Sequence, residues 1–214
     1  EAAELGKYGN VPISLFTGTP NISVPLYELK GNNLSLPLSL SFNASGFKPG
    51  EQAPWVGSGW SLNAGGVITR SVIGNPDTDD NYFGQDSVLI PPSTTNLFGY
   101  YTFMLALQIG QKEAQPDVYY YNFGPHKGKF FLKPDVSVLK KEKDLKVITP
   151  GNDLANFTVV DEQGVSYYFD QLETTTMYPN DDVGNPSPQT YTFTSSWYLT
   201  HMISADGKDS VLFE

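Results

Sequence analysis

A chain of 214 residues is long enough to bury a sizeable core, as one large β domain or two small ones. A formal net charge of −10 repels phosphate backbones and anionic membrane surfaces, which disfavours nucleic-acid binding. The absence of cysteine excludes disulfides, Cys-ligated zinc and thiol nucleophiles together.

The 13 Tyr and 13 Phe suit a pleated, half-buried surface, and the 20 Gly and 16 Pro supply frequent turns. In chain order, Val11 to Phe16 is an apolar run broken by Pro12. Asn21 to Leu29 alternates, which predicts a strand with Ile22, Val24, Leu26 and Leu29 on its buried side. Leu34, Leu36, Leu38, Leu40 and Phe42 share one face of the next strand, opposite Ser35, Ser39 and Ser41. Gly31-Asn32-Asn33 joins the two as a hairpin turn. Pro25 and Pro37 cannot donate to a ladder and call for edge or outward-facing positions.

A compact segment follows, Trp55-Val56-Gly57-Ser58-Gly59-Trp60-Ser61-Leu62-Asn63-Ala64-Gly65-Gly66, leading into a strand through Arg70. It is expected to form a corner where Trp55 and Trp60 cap the core over tight glycine turns, the alternative being an aromatic sugar-binding platform. Asn75 to Thr95 reads as a polar loop, and 96–111, with Phe103, Met104 and Leu107, is the one helical stretch. Strands are expected at Val118 to Phe123, Lys129 to Leu132, Leu145 to Ile148, Phe157 to Val160 and Val165 to Phe169. Turns fall at Gly124 to Gly128 and Asp161 to Gly164, and a polar loop at Thr174 to Pro188. Thr190 to Ser204 and Ser210 to Glu214 form a last hairpin around Asp206-Gly207-Lys208. Its return strand is cut at Val211-Leu212-Phe213, so the chain reads as a piece of a larger protein.

The residues that could carry chemistry are few. His126 and His201 are the only histidines and offer no third ligand for zinc. Asp77, Asp79 and Asp80 have a calcium-like composition, since hard cations want clustered carboxylate oxygens, but lack the glycine and closing glutamate of an EF-hand. A solvated acidic loop is the plainer reading, with calcium the one cofactor the composition admits. A glycosidase needs two facing carboxyls, and no spacing singles out a pair such as Glu51 with Asp117. No nucleophile elbow, phosphate loop or dinucleotide fingerprint is present. Tyr100, Tyr101, Tyr119, Tyr120 and Tyr121 could form a sugar-binding face, or simply pair across strands. No stretch reaches the roughly 18 apolar residues of a membrane span, and Glu1-Ala2-Ala3-Glu4 is not the start of a signal peptide.

Three stretches taken in order carry a family resemblance. They are Leu5-Gly6-Lys7-Tyr8-Gly9-Asn10-Val11-Pro12-Ile13 continuing to Leu26, Leu36-Pro37-Leu38-Ser39-Leu40-Ser41-Phe42-Asn43-Ala44-Ser45-Gly46, and the Trp55 to Arg70 run. Together with Ser196-Trp197-Tyr198-Leu199 before Asp206-Gly207-Lys208-Asp209, they resemble the N-terminal region of the large RHS/YD-repeat proteins of Bacteroidetes. A more distant likeness is to the shell-forming part of toxin-complex B subunits. The resemblance implies an exported, cell-surface or extracellular protein in which a spiralling β-shell encloses a C-terminal toxin or effector. Its N-terminal region precedes or begins that shell and is not the catalytic part. No array of Tyr-Asp repeats is visible in these residues.

The expectation is therefore an all-β, antiparallel module, a sandwich or the start of a β-shell, with one short helix near 96–111. It spans 1–214 as a single module with sub-lobes at 1–92 and 113–214. It is expected to be non-catalytic, with no membrane insertion, its partners being the remainder of its own chain or a cell-surface glycan or protein. The structural motif would be Trp55, Gly57, Gly59, Trp60, Asn63, Gly65 and Gly66.

Overall fold

The structure, a computed structural model, describes residues 20–43, 53–74, 76–77, 96–108, 115–133, 136–140, 144–149, 151, 154–178 and 190–213. They form largely antiparallel β-structure with one short helix. The chain divides into two compact units, Glu1–Gly65 and Gly66–Glu214. That division falls inside the glycine run, upstream of the expected lobe boundary at 92–113. The run Val11 to Phe16 and most of the loop from Asn75 to Thr95 lie outside the described residues.

In the first unit β1 (Asn21–Lys30), β2 (Ser35–Asn43) and β3 (Trp60–Asn63) form a three-stranded antiparallel sheet. Gly31 N–H donates to the Leu34 carbonyl (2.8 Å) and closes the expected hairpin. The alternation of β2 imposes two unlike faces. Ile22, Val24, Tyr27 and Leu29 pair with Phe42, Leu40, Leu38 and Leu36, while Trp60 and Leu62 pair with Phe42 and Leu40. Residues directly opposite share a face, so one side of the sheet is wholly apolar.

The other face carries the serines. Ser41 and Ser61 hydroxyls lie 2.9 Å apart, and the Asn63 amide donates to Ser39 Oγ at 3.4 Å. A register shift between Pro25 and Tyr27 makes Leu26 a bulge. Strict alternation would put Leu26 on the apolar face; the extra residue instead returns Tyr27 and Leu29 to it. The expected burial of β1 is corrected as well. Val24, Leu26 and Leu29 are exposed, because β1 is an edge strand. Pro25 sits on that edge, and Pro37 lies where β2 extends beyond β3, which spans only Ser39 to Phe42.

The second unit is a near-closed barrel of eight strands with a ninth added. Its strands are β4 (Gly66–Ser71), β5 (Val118–Phe123), β6 (His126–Leu132), β7 (Val138–Lys140), β8 (Lys146–Ile148), β9 (Phe157–Val160), β10 (Ser166–Met177), β11 (Tyr191–Ile203) and β12 (Ser210–Leu212). The order is β7-β6-β5-β4-β11-β10-β9-β8, and β12 pairs with β11 beyond β4. Helix α1 (Leu97–Gln108) begins where the Asn96 side chain accepts the Gly99 N–H (3.0 Å), a capping contact.

Most strands fall where the alternation placed them. The turn after β5 is only Gly124-Pro125, so His126 belongs to β6. Strand β7 was not foreseen, being three residues of weak pattern. Strand β10 runs to Met177 through the start of the expected loop, because β11 pairs with it residue by residue to Tyr191.

Gly66 shows why glycine is required at the start of β4. A Cβ there would lie 2.5 Å from Phe123 Cβ and 3.3 Å from Leu199 Cβ, so the neighbouring strands could not keep their spacing. Gly66→Ala is expected to lower unfolding free energy by about 1–3 kcal/mol, the usual cost of overpacking, read as a fall in denaturant midpoint. Ser71→Ala, at an exposed position on the same strand, should leave the midpoint unchanged.

Candidate functional site

The barrel interior is where side chains of the second unit converge. Tyr119, Tyr121 and Phe123 alternate inward along β5, and Ile68, which pairs with Tyr121 and Trp197, is fully buried. The Phe157 ring lies 5.6 Å from Phe130, 5.8 Å from Tyr119 and 4.9 Å from Trp197. Phe123 lies 4.7 Å from Tyr167 and 5.3 Å from Phe169. These tilted and edge-on contacts fill the axis with rings. The Trp197 indole N–H donates to the Leu154 carbonyl at 2.8 Å, which satisfies the one polar atom of the largest fully buried side chain.

Two carboxylate networks join strands to their neighbouring loops. In the first, Arg70 Nε donates to Asp117 Oδ2 (2.6 Å) and Nη2 to the Asp77 carbonyl (2.8 Å), with both ion-pair partners buried. Asp117 also accepts the N–H groups of Ile73 (2.8 Å) and Asp77 (3.2 Å), and its own N–H donates to Asp77 Oδ2 (2.9 Å). The guanidinium stands over the rings of Tyr119 and Phe193. A carboxylate holding one guanidinium and two amide donors is a clasp for the backbone of Ile73 and Asp77, poorly placed to act as a proton acceptor.

In the second network Asp161 Oδ1 accepts the N–H groups of Gln163 and Val165 (2.9 Å each), and Oδ2 accepts the Tyr167 hydroxyl (3.0 Å). His126 Nε2 lies 3.9 Å from Oδ2. His201, on β11, is stacked on Tyr168 at 4.2 Å.

The predicted site residues are scattered by this geometry. Asp77 is buried, not on a solvated loop, and Asp79 and Asp80 lie outside the described residues, as does Glu51. Among the described residues no three His, Cys, Asp or Glu side chains gather to hold a metal ion. The tyrosine face is divided by the strand's period of two. Tyr119 and Tyr121 point into the barrel, Tyr120 points out, and Tyr100 and Tyr101 are on α1. Trp55 does not cap the core, being 83% exposed, whereas Trp60 packs against Phe42 with ring centroids 5.1 Å apart. Gly57 and Gly59, with φ of 107° and 77°, form the turns between the two indoles. Asn63 bonds the serine face, Gly65 follows β3, and Gly66 opens β4.

The chain matches no protein-family model, no curated protein and no solved structure. Its chemistry therefore has to be read from its own residues. Among the described residues no helix is long and apolar enough to cross a membrane.

Sequence reasoning missed both carboxylate networks. Asp161 had a local signal, since Asp at the first position of a turn often bonds its own backbone. The Arg70–Asp117 pair had none, being 47 residues apart.

Two buried phenols differ in a testable way. Burial pushes Tyr119 and Tyr167 well above the usual tyrosine range. For Tyr119 the Asp117 and Asp77 charges add to burial while Arg70 opposes it; for Tyr167 the Asp161 charge adds. A raised folded pKa contributes stability that is complete below the unfolded value of about 10 and lost as pH rises above it. Melting temperature is therefore expected to fall more between pH 8 and pH 11 in the parent than in a Tyr119→Phe, Tyr167→Phe double variant. The Tyr119 hydroxyl is buried without a hydrogen-bond partner. Tyr119→Phe alone should thus be neutral or stabilising at pH 7, whereas Tyr167→Phe should cost about 1.5–3 kcal/mol through loss of a bond to a charged group, both read by denaturant titration.

Proposed function

We propose that this chain is a non-catalytic structural and assembly module of a large exported RHS/YD-repeat protein, of the cell-surface or polymorphic-toxin-like kind. The observation that carries the reading is the ring-filled barrel interior. Phe157 in contact with Tyr119, Phe130 and Trp197 occupies the axis where a barrel enzyme or carrier would hold its ligand. The buried carboxylates Asp117 and Asp161 are consumed by donors from their own chain. Side chains spent in this way build a stable body. The resemblance carried by the Trp55 to Arg70 run supplies the larger context, in which the partners are the rest of the same polypeptide, a repeat shell and a C-terminal effector.

The test is deletion of this segment from the protein that carries it in the producing bacterium. Surface exposure, read by protease shaving of intact cells, is expected to be lost, while the separately expressed effector keeps its activity. Surface display that survives the deletion would overturn the proposal.

One observation favours a second reading, a carbohydrate- or protein-binding surface. Trp55 presents 83% of its surface to solvent, and an exposed indole is a stacking platform for a sugar ring. Binding on a glycan array that disappears in Trp55→Ala, with an unchanged thermal melt, would establish that role; a blank array for the parent chain would dismiss the glycan.

A further inference from the structure

The ribbon formed by β10 and β11 outruns the strands on either side of it. β9 pairs with β10 only from Ser166 to Phe169, and β4 pairs with β11 only from Ser196 to Tyr198. Beyond Phe169, β10 continues to Met177 with β11 as its one strand partner among the described residues, and every residue from Asp170 to Thr176 is exposed. We propose that this outer edge of β10 is a strand-addition site, which takes an extended segment bearing Lys or Arg from a separate protein. The site does not depend on the family resemblance.

A strand with a single partner leaves the backbone N–H and C=O groups of its other side outside any ladder. Proteins blunt such edges by keeping them short, or with Pro, Lys or a bulge. The remaining edges are treated in this way. β7, β8 and β12 have three residues each and β3 has four, and Lys140 and Lys146 stand on β7 and β8. β1 carries Pro25 and its bulge. By contrast, Gln171 to Met177 runs along β10 without Pro or Lys, and at the irregularity beside Thr174 the extra residue belongs to β11. Thr174, Thr175 and Thr176 are β-branched and suit an extended edge.

A ribbon of two strands is marginal in water, and this one is cross-braced. Thr175 Oγ1 donates to Ser195 Oγ (2.9 Å), the Thr176 and Thr192 hydroxyls lie 3.1 Å apart, and the Tyr198 hydroxyl donates to Glu173 Oε2 (2.9 Å). All three bonds cross from β10 to β11. They hold the edge in strand geometry before a third strand arrives, which lowers the ordering cost of addition.

Charge selects the partner. No Lys or Arg stands between Lys146 and Lys208, against eight Asp and Glu, so this stretch carries −8 of the chain's −10. Asp170 and Glu173 are exposed on the edge strand itself. Opposite charges on facing strands stabilise a pairing and like charges oppose it. An incoming strand with Lys or Arg is therefore favoured, whereas a second copy offering its own β10 brings acids against acids.

The experiment is amide hydrogen exchange of the 214-residue chain with a synthetic octapeptide of alternating Lys and Thr. Amides within Gln171 to Met177 are expected to gain protection of about tenfold or more at saturating peptide. The same peptide N-methylated at alternate residues keeps its charge but cannot ladder, and should give no protection. A Glu–Thr octapeptide should bind at least about tenfold more weakly, a difference of about 1.4 kcal/mol. Asp170→Asn combined with Glu173→Gln, which retains an acceptor for Tyr198, should weaken the lysine peptide about threefold, the scale of two exposed ion pairs. Circular dichroism checks that this variant folds, and the comparison of peptides on the parent chain does not rely on it. Unchanged exchange at Gln171 to Met177 overturns the proposal. So does an N-methylated or a glutamate peptide that binds as well as the lysine peptide. Protection of Gln171 to Met177 that rises with protein concentration in the absence of peptide overturns it in favour of a second copy.

Discussion

Phe157 on β9 and Phe130 on β6 belong to strands five places apart in the sheet, yet their rings are 5.6 Å from each other. A ribbon of eight twisted strands bends far enough for that contact only if its inner face is dense with large side chains, and the ring contacts of Tyr119, Phe123, Phe169 and Trp197 provide the density. Everything else in the second unit follows from the closure. The Thr149 hydroxyl reaches the Val136 carbonyl (3.3 Å), which brings the segments flanking β7 and β8, the two ends of the ribbon, to one another. Val136 sits at this seam with φ of 58°. A β-branched residue rarely adopts that conformation, and strain of this kind persists where surrounding packing over-determines it.

The polar groups inside the barrel obey a different constraint. A buried charge is costly unless its partners are complete. Arg70 and Asp117 meet the condition by recruiting the backbone of Ile73 and Asp77, whose charge-assisted hydrogen bonds offset the desolvation of the pair. Asp161 uses the same logic on its own turn, where Gly164 supplies the positive φ of 82° and Tyr167 the final donor. Both carboxylates thereby become parts of the scaffold.

The first unit depends on alternation more than on volume. Its sheet has ten apolar side chains on one side and a serine-rich opposite side, cross-linked by short hydroxyl contacts. The glycine turns at Gly57 and Gly59 bring Trp60 back to Phe42 so that the third strand extends the same face. Such a sheet has its specificity written in register, and its single bulge marks the place where plain alternation would have failed.

The sequence by itself determined the β class, the positions of most strands, the short helix and the turns at Gly31, Asp161 and Gly207. Those features are local: period-two alternation, glycine at positive φ and an Asp-Gly pair act within a few residues. It also separated the serine and leucine faces of β2. Tertiary structure alone decided which apolar faces are covered. Val24 and Leu29 look like core residues by alternation and are exposed, while Asp77 and Asp117 look like surface acids and are buried. Trp55 and Trp60, five residues apart and equal in the pattern, have opposite fates because only Trp60 enters a strand. The Arg70–Asp117 clasp and the Trp197–Leu154 bond join residues 47 and 43 positions apart, and the rings of the interior come from several different strands. Burial is a property of what a sheet curls against, and no spacing along one strand records that.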